Sequence, residues 1–267
     1  MAVARYSTWF LAGLVLPWVL AASAAADKLD DIKARGTLLI GATESSPPFC
    51  FRDGSKGIVG YDVDLAAQVA GELGVKTQTV PIINAERISA LQHDRADLVA
   101  AGMTRSKGRA NDIDFSFAYL DSPHKVLVRR SAGIGRVAEL AGRKLALVKS
   151  ASVDAELKAA VPTLDITFFD DYGTAFAALA DGRVDGFLAD KMLLLWFAQK
   201  SGHPNDFVLI DGYELPRTAG FAVKKNEPRF LDFVDQALLK MEASGAAAKI
   251  FDRWFAPLPR TFRIAPD

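Results

Sequence analysis

The side chains of this chain that could do chemistry stand directly after apolar, strand-like runs. These polar stretches are residues 43–46, residues 102–104, residues 149–152 and Asp190. In a parallel sheet, ligands bind beyond the carboxyl ends of the strands. We therefore expect the four stretches to face one another across a cleft and to bind a ligand there.

The sequence has none of the spacings that mark a catalytic or metal site. It holds neither a G-x-S-x-G nor an H-E-x-x-H motif, and its histidines, His93, His124 and His203, are scattered. The single cysteine, Cys50, excludes an internal disulfide and a multi-cysteine metal site, and we expect it to pack as a small hydrophobic residue. No catalytic residue, metal or cofactor is therefore predicted.

An alternation of strands and helices must position the polar stretches. The predicted strands are 37–41, 77–80, 97–101, 142–148, 165–169 and 184–189. The predicted helices are 62–74, 87–93, 154–160 and 174–180. This order is typical of βαβ units with a parallel sheet, and its restart near residue 140 predicts two α/β units in succession.

A short repeat supports the idea of two similar units. The segment ALQHDRAD at 90–97 aligns with ALADGRVD at 178–185. Each segment is predicted to be a helix end, a turn and the entry of a strand. The aspartate at each strand entry suits a turn, because its side chain can bond local backbone N–H groups.

The charges of the chain cancel, with 32 Lys and Arg against 32 Asp and Glu in 267 residues. A nucleic-acid-binding protein is disfavoured, because phosphate neutralisation needs an excess of basic residues. Residues 1–26 combine one charged residue, Arg5, with an apolar core at 9–20 and small residues up to Ala26. This pattern predicts a cleaved secretory signal peptide, since the core is shorter than the ~20 residues that span a bilayer. The mature protein is then expected in the periplasm.

Five stretches of the mature chain occur in an order that is typical of one family. They are GYDVDL at 60–65, RISAL at 87–91 with Asp97, GMTRSKGR at 102–109, DFS at 114–116 with Tyr119, and FDRWF at 251–255. These stretches resemble the amino-acid-binding branch of the bacterial extracytoplasmic solute-binding proteins (family 3) that feed ABC importers. The resemblance runs from about residue 29 to 257 and is strongest to the glutamate/aspartate-type group.

The resemblance implies an α/β, periplasmic-binding-protein-like fold of type II, with two α/β lobes, a hinge and a ligand cleft between them. Lobe 1 would comprise residues 27–121 plus 214–267, and lobe 2 residues 122–213, after a signal peptide of residues 1–26. The implied partners are a free amino acid and the membrane permease of an ABC importer. We expect a monomer that closes around its ligand by a hinge motion.

The resemblance also implies roles in the cleft. Arg109 would bind the α-carboxylate of the ligand, helped by the hydroxyl and backbone N–H of Thr104, since a guanidinium is a fixed bidentate donor. Asp190 would accept from the α-ammonium, and it could also cap the helix that follows. Ser150 and Ser152 would contact the carboxylate from lobe 2. The other candidate ligand-binding residues are Thr43, Glu44, Phe49, Gly102 and Met103.

Selectivity for the ligand's side chain depends on Arg87. It matches a position at which glutamate/aspartate-type members hold an arginine for the side-chain carboxylate. Alternatively, Arg87 is an exposed helix residue paired with an acid such as Glu86 or Asp94. Thr43 departs from the second arginine that is common in that group. The expected order of ligands is an acidic amino acid, a polar neutral one such as glutamine, and then another small carboxylate.

An enzyme on the same fold is the main alternative function. Periplasmic dehydratases that act on cyclohexadienyl acids resemble this family, and Glu44 would be the candidate general acid. The pair Arg109 and Asp190 suits a zwitterion and favours binding over dehydration.

Overall fold

The computed structural model describes residues 27–149, 161–212 and 217–266. The predicted signal peptide, the predicted helix at 154–160, Ser150 and Ser152 lie outside these residues. The α-helices in the described ranges are α1 (Lys28–Arg35), α2 (Tyr61–Leu73), α3 (Arg87–Gln92), α4 (Tyr172–Ala180), α5 (Lys191–Lys200), α6 (Pro228–Ala243) and α7 (Ala246–Phe255). None of these helices is long and apolar enough to cross a membrane.

Two five-stranded sheets form the framework. The first contains β1 (Thr37–Ala42), β5 (Lys76–Pro81), β6 (Leu98–Val99), β7 (Ile113–Phe115) and β15 (Ala222–Lys224), in the order β5-β1-β6-β15-β7. The second contains β9 (His124–Arg129), β10 (Lys144–Val148), β11 (Asp165–Phe169), β12 (Gly186–Asp190) and β13 (Phe207–Leu209), in the order β11-β10-β12-β9-β13. The two orders are equivalent, so each half of the protein is an α/β lobe of the same design.

The strands of the predicted βαβ units are parallel, and each sheet also contains antiparallel strands. Strands β5, β1 and β6 are parallel, whereas β15 is antiparallel to both of its neighbours. In the second sheet, β9 takes the equivalent antiparallel place beside β12. Strands β9 and β15 each begin where the chain arrives from the other lobe. A strand that enters at the edge where the parallel strands end must run in the opposite direction to them.

The chain passes between the lobes through a narrow pair of strands. Strand β8 (Leu120–Asp121) pairs antiparallel with β14 (Thr218–Ala219). The backbone bonds from Tyr119 N to Ala219 O and from Ser122 N to Arg217 O are both 2.9 Å long. Such a short connection is typical of a hinge. The predicted lobe boundaries after residues 121 and 213 stay predictions.

The repeated aspartates have the same task in both lobes. Asp97 Oδ2 accepts from the backbone N–H of Leu39 in β1 at 2.8 Å. Asp185 Oδ2 accepts from the backbone N–H of Lys144 in β10 at 2.9 Å. Each carboxylate thus holds the entry of a third strand beside the first strand of its sheet, which agrees with the predicted helix end, turn and strand entry.

The motif GYDVDL lies where α2 begins beneath the cleft. A small hairpin of β2 (Ser45–Ser46), β3 (Cys50–Arg52) and β4 (Ile58–Val59) leads into it. Gly60 has φ +146°, and a Cβ there would lie 2.1 Å from the carbonyl oxygen of Phe49. Only glycine therefore allows this close approach. The following Tyr61 is fully buried, with its ring centroid 4.9 Å from that of Phe255 in α7.

Candidate ligand-binding site

A cavity of about 50 Å³ lies between the lobes, at the ends of the central strands. We call it the central cavity. From lobe 1 it is lined by Ser46, Phe49, Arg87, Ala101, Gly102, Thr104 and Arg109. From lobe 2 it is lined by His124, Val148, Tyr172, Leu188, Ala189, Asp190 and Leu193. Three of the four predicted strand-end stretches, 43–46, 102–104 and Asp190, therefore contribute residues to this one cavity.

Arg109 enters the central cavity from the polar loop after β6. Its Nη1 donates to the carbonyl oxygen of Thr104 at 2.9 Å, which fixes the direction of the guanidinium. Burial, with the positive charges of Arg87 and Arg217 nearby, lowers the pKa of Arg109 to about 10. Arg109 therefore stays a cation at neutral pH in an electropositive environment, where an anionic group of a ligand is favoured.

Arg87 is the first residue of α3 and points into the same cavity. Only 9% of it is exposed, and its guanidinium donates to the carbonyl oxygens of Asn84 (3.0 Å) and Ala101 (3.3 Å). Burial lowers its pKa, and no carboxylate among the described residues pairs with it.

The surface pairs considered for Arg87 do not form. Glu86 instead pairs with Arg95, and Asp94 pairs with Lys28 and Lys224. Arg87 is thus a buried cation directed at the cavity, which is costly unless a ligand supplies a counter-charge.

Asp190 ends β12 and caps α5, so both roles considered for it are compatible. Its Oδ1 accepts from the backbone N–H of Met192 at 3.0 Å and from the hydroxyl of Ser122 next to β8. Burial raises the pKa of Asp190 to about 7, although these hydrogen bonds favour the ionised form. A cationic group in the cavity would stabilise the carboxylate further.

Asp62, the aspartate that follows Tyr61 in the motif, supports the cavity from behind. Its Oδ2 accepts from the backbone N–H of Gly102 and from the hydroxyl of Tyr119 at 2.9 Å. Burial raises its pKa to about 7. Asp62 thereby ties the loop at Gly102 to the segment that enters the hinge.

The remaining lobe-1 candidates fall into three groups. Phe49 lines the central cavity and also packs against Phe255, so it is both a wall and part of the core. Met103 is buried and is not among the lining residues. Thr43 and Glu44 line a neighbouring cavity of about 460 Å³.

This neighbouring cavity is the outer vestibule of the cleft, between residues 81–86 of lobe 1 and Lys149 with Asp170 of lobe 2. Lys149 Nζ lies 2.6 Å from the Asp170 carboxylate. Glu44 is 40% exposed and pairs with Arg52, whereas the Thr43 hydroxyl is buried and donates to Ser46 Oγ at 3.0 Å. The structure therefore does not bring Glu44 together with Arg109 and Asp190.

Two polar residues of the central cavity were missed by the sequence reasoning. Tyr172 follows β11 by three residues, so the strand-end rule could have found it. His124 is the first residue of β9, and no sequence signal marks it. His124 reaches the cavity because β9 is antiparallel, so the amino end of β9 lies at the edge where the parallel strands end.

Within the described ranges, no group of three or more His, Cys, Asp and Glu side chains is arranged to hold a metal ion. The central cavity instead presents guanidinium, carboxylate and hydroxyl groups from two lobes that are joined by a short strand pair. This arrangement is that of a solute-binding protein. Residues 38–257 match the bacterial extracellular solute-binding proteins, family 3, and the chain belongs to that family.

The curated relatives bind amino acids of several kinds. The chain is 29% identical to the L-cystine-binding protein TcyJ of Escherichia coli over 85% of each chain. It is 27% identical to the ABC transporter glutamine-binding protein GlnH of Bacillus subtilis, covering 87% of this chain and 86% of the relative. It is 26% identical to the glutamate/aspartate import solute-binding protein of E. coli, covering 90% and 83%.

Solved structures with the same fold include binding proteins and a precursor of an enzyme. The cysteine-binding protein of Campylobacter jejuni has a TM-score of 0.79 at 29% identity, covering 89% of this chain and 97% of that one. The ancestral amino acid-binding protein AncCDT-1, a precursor of cyclohexadienyl dehydratase, also has a TM-score of 0.79, at 30% identity, covering 86% and 100%.

Proposed function

We propose that this protein binds an acidic amino acid such as glutamate or aspartate in the central cavity and delivers it to the permease of an ABC importer. The observation that carries the proposal is Arg87, a buried guanidinium without a carboxylate partner among the described residues. Arg109 and Asp190 line the same cavity from opposite lobes. Together the three groups match the three charges of an acidic amino acid.

The charges favour an acidic ligand over a neutral one. The α-carboxylate would pair with Arg109 and the α-ammonium with Asp190, which leaves Arg87 uncompensated. A side-chain carboxylate removes this imbalance through charge-assisted hydrogen bonds, each contributing about 1.5–3 kcal/mol. Thr43 supplies no second cation because its side chain is uncharged, and its buried hydroxyl donates to Ser46. Because Arg87 is the single guanidinium proposed for the ligand's side chain, the amide of glutamine could also bind there, more weakly.

The rest of the expected biology forms part of the same proposal. Residues 1–26 act as a cleaved signal peptide, and the mature chain works in the periplasm as a monomer. Lobe 1 comprises residues 27–121 plus 214–267, and lobe 2 residues 122–213. They close over the ligand by bending at β8 and β14. Ser150 and Ser152 contact the α-carboxylate from lobe 2.

A dehydratase remains the competing function because a solved relative is described as a precursor of one. Its proposed general acid, Glu44, lies in the vestibule, is 40% exposed and is paired with Arg52. General acid catalysis needs a group within hydrogen-bond reach of the reacting atoms. Glu44 is poorly placed for this role, which favours a binding protein.

Calorimetry on the mature chain tests the proposal. Residues 27–267 would be unfolded, stripped of bound ligand, refolded and titrated with the twenty amino acids, L-cystine, and prephenate and arogenate. We expect L-glutamate or L-aspartate to bind most tightly, with glutamine weaker. Tightest binding of cystine or of a neutral amino acid would contradict the acidic assignment. No binding of any amino acid, with turnover of prephenate or arogenate, would replace the binding protein by the dehydratase.

A further inference from the structure

His124 lies at a position in the central cavity that the proposed contacts do not use. It is the first residue of β9, and in the antiparallel pair of β9 with β12 it is directly opposite Asp190. Side chains directly opposite in such a pair lie on the same face, with Cβ atoms about 4.5–5.5 Å apart. Both side chains line the central cavity, so they are presented to a ligand together.

The imidazole of His124 has an unused hydrogen-bonding atom. Its Nδ1 is buried and has no hydrogen-bond partner among the described residues. Burial, with the positive charges of Arg217 and Arg109, lowers the pKa of His124 to about 4. The ring is therefore neutral at pH 7, and in the tautomer with the proton on Nε2 its Nδ1 is a hydrogen-bond acceptor. A buried acceptor without a donor is costly unless a ligand satisfies it.

An α-ammonium group needs more acceptors than Asp190 alone offers. An ammonium carries three N–H donors, each of which requires a partner when water is excluded. Asp190 Oδ1 already accepts from Ser122 and from the backbone of Met192. The cavity's guanidinium groups, Arg87 and Arg109, are donors only and cannot help. His124 lines the same cavity from the neighbouring strand, directly opposite Asp190, and supplies an acceptor.

We propose that His124 is a specificity-determining residue, whose imidazole nitrogen accepts a hydrogen bond from the ligand's α-ammonium group beside Asp190. The inference rests on the proposed function, because it takes the ligand to be an α-amino acid. It predicts that this protein discriminates α-amino acids from acids without an amino group through two residues, one charged and one neutral.

The test compares L-glutamate with glutarate, which has both carboxylates but lacks the amino group. Calorimetry would use the mature wild type, His124→Phe, which removes the nitrogens, and His124→Asn, whose Oδ1 can accept in place of Nδ1. We expect His124→Phe to weaken L-glutamate binding about 10- to 100-fold, as for other bonds to charged groups, and to leave glutarate affinity within about twofold. His124→Asn should restore much of the affinity. His93→Phe is the matched control, because His93 is exposed.

The outcomes separate this inference from the proposed function. If the wild type binds no amino acid, the proposed function fails. If it binds L-glutamate, but His124→Phe weakens L-glutamate and glutarate equally, His124 serves the carboxylates or the fold and only this inference is overturned. An unchanged L-glutamate affinity in His124→Phe overturns it as well.

Nuclear magnetic resonance on the wild type avoids any loss of folding in a variant. With ¹⁵N-labelled histidine, L-glutamate should shift the signal of an acceptor nitrogen of His124 in the direction of hydrogen bonding, and glutarate should not. Assignment by His93→Phe and His203→Phe is direct, because the chain has three histidines. Equal shifts with both ligands would contradict the inference.

Discussion

Replacing Arg87 by methionine would remove a buried cation while keeping an unbranched side chain in its place. In the wild type, the guanidinium is held by the carbonyl oxygens of Asn84 and Ala101. Nothing in the described residues neutralises it. In the complex, the side-chain carboxylate of L-glutamate would do so. The substitution therefore removes an interaction that exists only with an acidic ligand.

The magnitude follows from the kind of bond that is lost. A hydrogen bond to a charged group contributes about 1.5–3 kcal/mol, and 1.4 kcal/mol corresponds to a tenfold change in Kd. Arg87→Met should therefore raise the Kd for L-glutamate about 10- to 100-fold. The effect on L-glutamine should be smaller, because its amide carries no charge. Burial lowers the pKa of Arg87, so its charge is unfavourable without ligand, and the ligand-free variant should melt at a higher temperature than the ligand-free wild type.

The assay is calorimetry with both ligands, together with thermal unfolding of the ligand-free proteins. Arg95→Met is the matched control, because Arg95 is an exposed arginine near the same helix and pairs with Glu86 on the surface. It should leave both affinities unchanged. A Kd for L-glutamate within about twofold of wild type in Arg87→Met would refute the reasoning, as would an equal loss for L-glutamate and L-glutamine.

Three further results are expected. Arg109→Gln should weaken the binding of every α-amino acid by at least about tenfold, because the α-carboxylate is common to all of them. Tight binding by this variant in calorimetry would contradict the assignment of Arg109 to the α-carboxylate. Burial raises the pKa of Asp190 to about 7, and a bound ammonium group favours its ionised form. Ligand binding should therefore release a proton near neutral pH, and the affinity should fall as the pH drops below about 7. An affinity that is constant from about pH 5 to 8 would contradict this. Trp196 of lobe 2 lies against Phe51 of lobe 1, with ring centroids 5.7 Å apart. Closure of the lobes on ligand binding should alter this contact and so change the fluorescence of Trp196. A response that persists in full in Trp196→Phe would contradict closure at this contact.

Much of the fold could be predicted because strand ends and helix ends carry local signals. The helix predicted at 62–74 is α2, which ends at Leu73 before Gly74 in a left-handed conformation. The strand predicted at 165–169 is β11. Short apolar runs with turn residues at both ends identify such elements without tertiary information. The antiparallel strands β9 and β15 could not be placed, since their neighbours are distant in sequence.

The site was predictable only to the level of the strand ends. Gly102, Thr104, Arg109 and Asp190 come together because their strands end at one cleft. Which neighbour turns inward depends on side-chain direction, and this is why Met103 is buried between Gly102 and Thr104 without lining the cavity. A position such as His124 needs the complete sheet order, because its strand runs against the others.

The balance of charges in the whole chain explains why these few residues matter. With 32 basic and 32 acidic residues, the protein has no net charge to attract a charged solute over long distances. Discrimination must then arise inside the cleft, where water is largely excluded and each charge acts strongly. Burial there disfavours the charged forms of both residues, since it lowers the pKa of Arg87 and raises that of Asp190. A ligand that supplies both counter-charges relieves both costs at once, whereas one that supplies a single counter-charge leaves the other in place. Under the proposed function, the ligand is therefore selected by how well its charges match both Arg87 and Asp190.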